Sequence, residues 1–338
     1  MSGSTYERSE WLILALYRGL LRREPIDVEL AHWTNALMHD FPSSEIVAAF
    51  ISSEEFRRAS TAKLFVPPGH FYSPIVDPIE AERYFAVAEA KGVPNTLPGI
   101  VVDRAEMVRT WYALLPHLTR AAFPRTPSPG FRYAYENPAY SWGDGGILHA
   151  MLLKHRPKRV IEIGSGWSSA CTIDTVEKYL DWQSELTFVD PYPQLLRELV
   201  GEMVRDVRIF ECRIQIVPLE IFDDFERDDI LFIDSTHILR TGSDVCFELF
   251  EILPRLASGV LVHIHDMFWP FEYPRAWAVN ENRSWNELYA IRAFLTNNTD
   301  WRIVFFNDFF AKFEKEIIET TWPPFLRNSG GALWLRRC

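Results

Sequence analysis

Two short stretches of this 338-residue chain constrain its fold more than any others. The first, residues 160–166, is an apolar run that ends in a tight Gly-x-Gly turn, and the second, residues 188–190, is an apolar run that ends in an acid. A helix-like stretch lies between them, so together they predict a strand–helix–strand unit that binds a nucleotide. Gly164 and Gly166 allow backbone to approach a ligand closely. Asp190 follows at the spacing at which an acid holds ribose hydroxyls.

The details of the turn argue against a dinucleotide. Ser169 replaces the third glycine of the dinucleotide fingerprint, and its side chain makes a close approach of the helix beside a pyrophosphate less favourable. The carboxylate of Glu162 suits a cationic ligand better than a diphosphate. Residues 162–166, together with Asp190, resemble motifs I and II of class I S-adenosylmethionine-dependent methyltransferases. The resemblance implies that the methyl donor S-adenosylmethionine is bound by Glu162, Gly164, Ser165, Gly166 and Asp190.

Strand and helix patterns alternate from about residue 131 onward. This alternation predicts an α/β fold, a doubly wound Rossmann-like sheet of mostly parallel strands with helices on both faces. In methyltransferases the closing strand is antiparallel, and the resemblance implies the same here. The predicted strands are residues 158–163, 185–190, 212–217, 229–234, 259–265, 301–306 and 332–336.

The N-terminal region has a different character. Apolar residues at helical spacing predict an all-α module over residues 1–61, followed by a proline-rich and helical connector over 62–130 and the methyltransferase domain over 131–338. The runs at 16–25 and 53–57 resemble a short helical domain of unknown function found in many bacterial proteins. A docking role, a part in homo-oligomer formation and a passive structural role all remain open for this module.

Two neighbouring predicted strands end in side chains that bind metals. Asp234 ends one strand, and His265 and Asp266 end the next. The carboxyl ends of neighbouring strands lie at one sheet edge, about 5 Å apart. Two carboxylates so close repel each other without a cation, so we expect Asp234, His265 and Asp266 to bind a divalent metal. Oxygen ligands favour Mg²⁺ or Mn²⁺, while the imidazole leaves Fe²⁺, Co²⁺ or Zn²⁺ open.

Two alternatives for these strand ends remain open. In the first, both acids cap turns or helix starts, and one of His263 and His265 is a hydrogen-bonded core histidine. In the second, His263, His265 and an acid form a facial triad for non-haem iron, which leaves the glycine turn unexplained.

Residues 232–237 and 262–266 sharpen the resemblance. They resemble metal-assisted O-methyltransferases, a branch that includes catechol- and macrolide-sugar-type enzymes. The resemblance implies that Asp234 and His237 are catalytic, with His237 as the general base, titrating near neutral pH. It implies O-methylation of a small polar acceptor, namely a sugar, a glycoside or an aromatic hydroxyl. His265 departs from the pattern, because an oxygen ligand is more common at its position.

An aromatic stretch follows Asp266 directly. Residues 267–284 are rich in Phe, Trp and Tyr, and they form either a lid over the site or part of the core. In the lid interpretation Arg275 holds an anionic group of the acceptor. Upstream, residues 140–146 are expected to form another wall of the donor pocket, with an ordinary helix start as the alternative.

Composition narrows the function classes. A formal net charge of −11 and the absence of a run of Lys or Arg oppose a nucleic-acid partner. The four cysteines form no CxxC pair, and no secretory or membrane-spanning stretch is visible, so we expect a cytoplasmic protein without membrane insertion. Two other functions remain open, an NAD-type oxidoreductase and a non-catalytic methyltransferase-like scaffold.

Overall fold

The computed structural model describes residues 5–21, 23–39, 41–61, 65–201 and 207–338. The chain divides into two compact units, Met1–Ala81 and Glu82–Cys338, and the division falls within a helix, α5.

The first unit is helical, as the sequence predicts. Its helices are α1 (Thr5–Leu16), which continues as a π-helical turn, α2 (Asp27–Met38), α3 (Ser43–Ser52) and α4 (Glu54–Thr61). The unit has a small core of its own, in which the ring of Tyr17 packs edge-on against Phe50 with centroids 4.9 Å apart.

The second unit is built on a seven-stranded sheet with helices around it. Its strands are β1 (Arg159–Ile163), β2 (Glu185–Val189), β3 (Val207–Phe210), β4 (Ile230–Ile233), β5 (Leu261–Ile264), β6 (Trp301–Phe306) and β7 (Leu333–Arg337). Its longer helices are α5 (Pro78–Lys91) from Glu82 onward, α6 (Arg104–Leu118), α7 (Trp142–His155), α8 (Trp167–Tyr179) and α12 (Glu287–Leu295). The shorter ones are α9 (Gln194–Val200), α10 (Glu220–Asp223), α11 (Asp244–Phe247), α13 (Asn307–Phe313) and α14 (Lys315–Thr321).

The sheet has the strand order β3-β2-β1-β4-β5-β7-β6. Strands β1 to β5 are parallel, whereas β7 is antiparallel to both β5 and β6. Every residue of β4 and β5 is buried, which is expected when helices cover both faces of a sheet. The predicted Rossmann-like fold with an antiparallel closing strand is therefore confirmed.

One predicted strand is wrong. The alternating apolar residues at 212–217 predict a strand, but the third strand lies earlier, at Val207–Phe210, and Ile214–Ile216 is a 3₁₀ turn. The turn buries Ile214 and leaves Ile216 72% exposed. A strand of four residues carries too short a pattern to be distinguished from the turn that follows it.

Helix α6 packs into the core of the sheet. The Trp111 ring stacks on Phe310 with centroids 4.9 Å apart, and its indole N–H donates to Thr321 Oγ1 at 2.9 Å. This helix of the predicted connector therefore belongs to the same packed unit as the strands.

Candidate active site

The first part of the site is the turn between β1 and α8. Gly164 has a φ of +82°, and a Cβ at this position would lie 1.8 Å from the backbone oxygen of Asp234. Only glycine fits there, because the end of β4 passes directly against the turn. Gly166 is less constrained, since its Cβ would lie 3.4 Å from Leu195 Cδ2. The turn brings the carboxyl ends of β1 and β4 together.

Asp190 connects this turn to the end of β2. Its Oδ2 accepts hydrogen bonds from the backbone N–H of Ser165 at 3.0 Å and from the Ser165 hydroxyl at 2.6 Å. Its Oδ1 accepts from the backbone N–H of Tyr192 at 2.7 Å. The sequence prediction that the turn and Asp190 share one site agrees with this geometry.

A cavity of about 460 Å³ opens at this edge of the sheet. That volume lies within the range of small-molecule and cofactor sites. The cavity lies among the loops that follow β1, β2, β3 and β4. Its lining includes Gly164, Ser165, Asp190, Tyr192, Arg213, Gln215, Asp234, Ser235, Thr236, Arg240 and Asp244.

Glu162 lies behind the turn and does not line this cavity. Its side chain is fully buried, and its Oε1 accepts hydrogen bonds from the hydroxyls of Ser168 at 2.6 Å and Ser169 at 2.8 Å. Burial raises the pKa of this carboxyl to about 8, and the two serine hydroxyls oppose the rise only in part. The argument that Glu162 offers a negative charge to a cationic ligand therefore needs correction, because the buried carboxyl shapes the turn instead.

Sequence reasoning missed Gln215, Arg213 and Arg240 as cavity residues. Gln215 donates through Nε2 to the backbone oxygen of Gly242 at 3.1 Å. Its Oε1 is buried and has no hydrogen-bond partner in the part of the chain that the structure describes. No motif marks these positions, and the strand predicted at 212–217 concealed the loop.

The second part of the site is a cluster of four side chains from the ends of β4 and β5. His237 Nε2 lies 3.4 Å from Asp234 Oδ1 and 3.5 Å from Asp266 Oδ2. His265 Nδ1 lies 3.4 Å from Asp234 Oδ1 and 3.6 Å from Asp266 Oδ1. All four separations exceed the usual 2.7–3.2 Å of an N–H···O hydrogen bond. The structure thus brings the predicted catalytic and metal-binding residues together, as the topology predicts.

The cluster shifts the pKa values of its members strongly. Burial opposes the charged form of Asp234, but His265 and His237 outweigh it and hold the pKa of this carboxyl far below its usual range. Burial also opposes the charged form of His237, yet Asp234 and Glu287 outweigh it and raise the pKa to about 10. Burial raises the pKa of Asp266. His237 is therefore protonated at neutral pH in this arrangement, which corrects the expectation that it titrates near neutrality.

Two side chains that the sequence did not associate with the cluster hold its histidines from behind. Glu287 Oε2 lies 2.8 Å from His237 Nδ1. Asp144 Oδ2 lies 3.4 Å from His265 Nε2, and Asp144 also accepts hydrogen bonds from Asn307 Nδ2 and the backbone N–H of Ala332, both at 3.1 Å. Asp144 therefore lies beneath the cluster. Residues 140–146 are not among those that line the cavity at the glycine turn, so the expectation that they wall the donor pocket is not supported.

The predicted metal is not confirmed. Across the described ranges, no group of three or more His, Cys, Asp or Glu side chains is placed to hold a metal ion. The iron triad finds no support either. His263 is fully buried and stacks on Phe232 with ring centroids 4.0 Å apart, and burial lowers its pKa well below the usual value.

The aromatic stretch after Asp266 is mostly core. Trp269, Phe271 and Tyr273 are buried, whereas Trp277 is half-buried. Arg275 forms an ion pair with Glu82, so its charge is already balanced without an anionic group of the acceptor.

Comparison with known proteins agrees with this geometry. Residues 161–267 match the family model of a methyltransferase domain, a range that begins in β1 and ends just after Asp266. This stretch of the chain is therefore similar to a methyltransferase domain. Residues 4–60 match the model of a domain of unknown function, which agrees with the resemblance seen in the N-terminal helices.

Individual proteins that resemble this chain are distant from it. An uncharacterized protein of Archaeoglobus fulgidus is 28% identical over 172 residues, which cover 50% of this chain and 76% of that protein. The structure of the S-adenosylhomocysteine-bound methyltransferase PaMTH1 of Podospora anserina is 15% identical, with a TM-score of 0.36 over 77% of this chain and 96% of that one. A structure described as that of a putative methyltransferase from Thermobifida fusca is 14% identical, with a TM-score of 0.36 over 81% of this chain and 99% of that one.

No helix in the described ranges combines the length and the apolar character needed to cross a bilayer.

Proposed function

We propose that the methyltransferase domain transfers a methyl group from S-adenosylmethionine to a hydroxyl of a small polar acceptor, such as a sugar or glycoside. The observation that carries the proposal is the cavity at the glycine turn, lined by Gly164, Ser165 and Asp190 on one side and by Asp234 on the other. His237 contacts Asp234 and so lies beside the cavity.

The donor fits the cavity through its nucleoside. Asp190 is the proposed partner of the ribose hydroxyls, at the carboxyl end of β2 where such acids act. The unpartnered Oε1 of Gln215 is an acceptor for the exocyclic amine of adenine. Glycine at position 164 keeps this edge free of a side chain. Ser169, which donates a hydrogen bond to Glu162 from the first turn of α8, replaces the glycine that a dinucleotide site uses.

The chemistry is a substitution at the donor's methyl carbon. The acceptor oxygen forms a bond to that carbon while the carbon–sulfur bond breaks, and sulfur keeps the electron pair as the neutral thioether. The acceptor's hydroxyl proton passes to Nε2 of His237, which must be unprotonated to receive it. A cationic donor in the adjacent cavity lowers the pKa of His237, because nearby positive charge disfavours the imidazolium. The domain's main contribution is to align oxygen, carbon and sulfur.

Two measurements test this function. Calorimetry with S-adenosylhomocysteine should show binding, and NAD⁺ under the same conditions should show none. Methyl-labelled S-adenosylmethionine should then label at least one member of a panel of methyl glycosides, nucleotide sugars and catechols. Binding of NAD⁺ instead would favour the oxidoreductase, and donor binding with no labelled product across a wide panel would favour the scaffold.

A divalent cation that assists the transfer is a second candidate. What favours it is that the two imidazole nitrogens lie 3.4–3.6 Å from the carboxylates of Asp234 and Asp266, although the side chains would have to move to form a metal site, since the described residues hold none ready-made. Asp234, His265 and Asp266 would hold such a cation, which would lower the pKa of an acceptor hydroxyl bound to it. Calorimetry with Mg²⁺ and Mn²⁺, and methyl transfer with and without a chelator, test this part separately. A rate that a chelator leaves unchanged would remove the cation from the mechanism.

A further inference from the structure

The loop that carries His237 is held by a second segment far along the chain. Residues 285–287, which we name the clasp, lie at the start of α12 and contact residues 237–239 along their length. His237 itself has a φ of +60°, a left-handed conformation that a non-glycine residue keeps only when its surroundings enforce it.

Backbone contacts fix the position of the loop. The N–H groups of Asn286 and Glu287 both donate to the carbonyl oxygen of His237, at 3.1 Å each. The Asn286 side chain binds the backbone of Leu239 twice, accepting from its N–H at 2.6 Å and donating to its oxygen at 3.2 Å. The clasp therefore supplies the enforcement that the left-handed residue needs.

Side-chain contacts fix the ring of His237. Glu287 is 2% exposed, and its Oε2 lies 2.8 Å from Nδ1. The Trp285 ring packs against the imidazole with centroids 4.4 Å apart. With Nδ1 bound on this side, Nε2 points to the opposite side, where Asp234 and Asp266 lie.

We propose that Glu287 is a positioning residue for methyl transfer. It accepts a hydrogen bond from Nδ1–H of His237 and so keeps Nε2 directed at the place where the acceptor hydroxyl loses its proton. A carboxylate or carbonyl on one ring nitrogen decides which nitrogen is left to react. This role rests on the proposed function, in which His237 is the general base. The hydrogen bond between Glu287 and His237 is tested without substrate.

The neighbourhood offers a matched control. Glu248 is also a buried carboxyl, 1% exposed, and it accepts a hydrogen bond from the Ser235 hydroxyl at 3.1 Å. Among the described residues, Glu248 forms no hydrogen bond or ion pair with His237, although the charges of the two groups interact through space. The same substitution at both positions therefore separates loss of a buried carboxyl from loss of the ring contact.

The test is nitrogen-15 NMR of the full chain labelled at histidine, with the His237 signals assigned from their absence in His237→Gln. The wild-type protein should show a slowly exchanging Nδ1–H. Glu287→Leu should speed that exchange by at least about tenfold, because a buried hydrogen bond to a charged group contributes roughly 1.5–3 kcal/mol. Glu248→Leu should leave the Nδ1–H protected, because Glu287 stays in place. A ring that carries its proton only on Nε2, or an Nδ1–H that Glu287→Leu does not affect, would overturn the proposal.

A second variant and a kinetic measurement distinguish a failure to fold from the loss of the hydrogen bond. If Glu287→Leu does not fold, Glu287→Gln keeps the side-chain volume and removes the charge. Its Nδ1–H should exchange faster than in the wild-type protein, and an unprotected Nδ1–H in the wild-type protein overturns the proposal by itself. With an acceptor from the panel, folded Glu287→Leu should lower kcat by about 10–100-fold with KM within about threefold. A wild-type protein that has the protected Nδ1–H but binds no S-adenosylhomocysteine would refute the proposed function and leave the contact standing.

Discussion

The two halves of the site are built differently. On the side of β1 and β2, backbone and short local contacts form the surface: a glycine against the Asp234 carbonyl, and Asp190 bound to Ser165 and Tyr192. On the side of β4 and β5, four ionisable side chains converge, with support from Glu287 and Asp144, which lie far away in sequence. In the first half, hydrogen bonds from the turn orient the acid, Asp190, at the cavity. The second half is a charged cluster whose protonation depends on what binds nearby.

This contrast suggests a division of labour between a donor side and an acceptor side. Substitutions on the donor side should act through shape and donor affinity. Substitutions on the acceptor side should act through proton transfer while donor affinity is kept. We expect the largest effect from changing the shape of the turn at Gly164. The smallest, measured near pH 5, is expected at the buried carboxyl of Glu162.

Gly164→Ala should have the largest effect. A methyl group 1.8 Å from the Asp234 backbone oxygen, on a residue with φ of +82°, forces the ends of β1 and β4 apart. We expect a loss of at least about 3 kcal/mol in the free energy of unfolding and no measurable S-adenosylhomocysteine binding. Gly166→Ala is the matched control, with roughly 1 kcal/mol or less expected. Chemical denaturation measures both, and equal losses would mean that the close approach at Gly164 is not what demands glycine.

His237→Ala should show the acceptor-side pattern. Removing a general base typically lowers the rate by about 10²–10⁴-fold. We expect such a fall in turnover with the acceptor found in the panel, while the S-adenosylhomocysteine Kd stays within about threefold, because the donor cavity is not lined by this side chain. Calorimetry and labelled methyl transfer measure the two quantities. Unchanged turnover would remove His237 from the mechanism.

Asp190→Asn should show the donor-side pattern. The carboxamide keeps an oxygen for the N–H of Ser165, but the charged acceptor for the donor's ribose is lost. We expect S-adenosylhomocysteine to bind about tenfold more weakly, since a hydrogen bond to a charged group contributes roughly 1.5–3 kcal/mol. Glu185→Gln, at the exposed opposite end of β2, should leave the Kd unchanged. Equal affinities in the two variants would place the ribose elsewhere.

Glu162→Gln should have the smallest effect near pH 5, and its effect should depend on pH. Burial raises the pKa of this carboxyl to about 8, so the folded protein keeps a proton that the unfolded chain releases near its ordinary pKa. The folded state binds more protons in that window, so the group's contribution to stability falls as pH rises from about 5 to about 8. Denaturation curves at a series of pH values should show a smaller fall for Glu162→Gln. Parallel curves for the two proteins would show that the carboxyl is already ionised.

The donor side could be predicted from sequence because its determinants are local. Residues 164–166 and Asp190 carry a spacing that is fixed by one strand–helix–strand unit, and the structure joins Ser165 to Asp190, whereas their binding of the donor stays a prediction. The acceptor side could be predicted only in part. Asp234, His265 and Asp266 follow strands, so the sheet's topology alone brings them together.

What the sequence could not supply is the long-range support. Glu287 and Asp144 reach the cluster only through tertiary packing, and no periodicity or motif marks them. The burial of Glu162 could not be predicted either, because the sequence pattern of a carboxylate two residues before a glycine turn is the same whether the side chain faces a ligand or the core. Burial decides the charge of such a group, and burial is a property of the folded chain.

Strand β5 is hydrogen-bonded along both edges, to β4 on one side and to β7 on the other, and all of its residues are buried. Its amides should therefore be among the slowest in the protein to exchange with deuterium. The strand that presents His265 and Asp266 is thus rigid, and any motion that admits or releases the donor must fall on the loops around the cavity rather than on this strand.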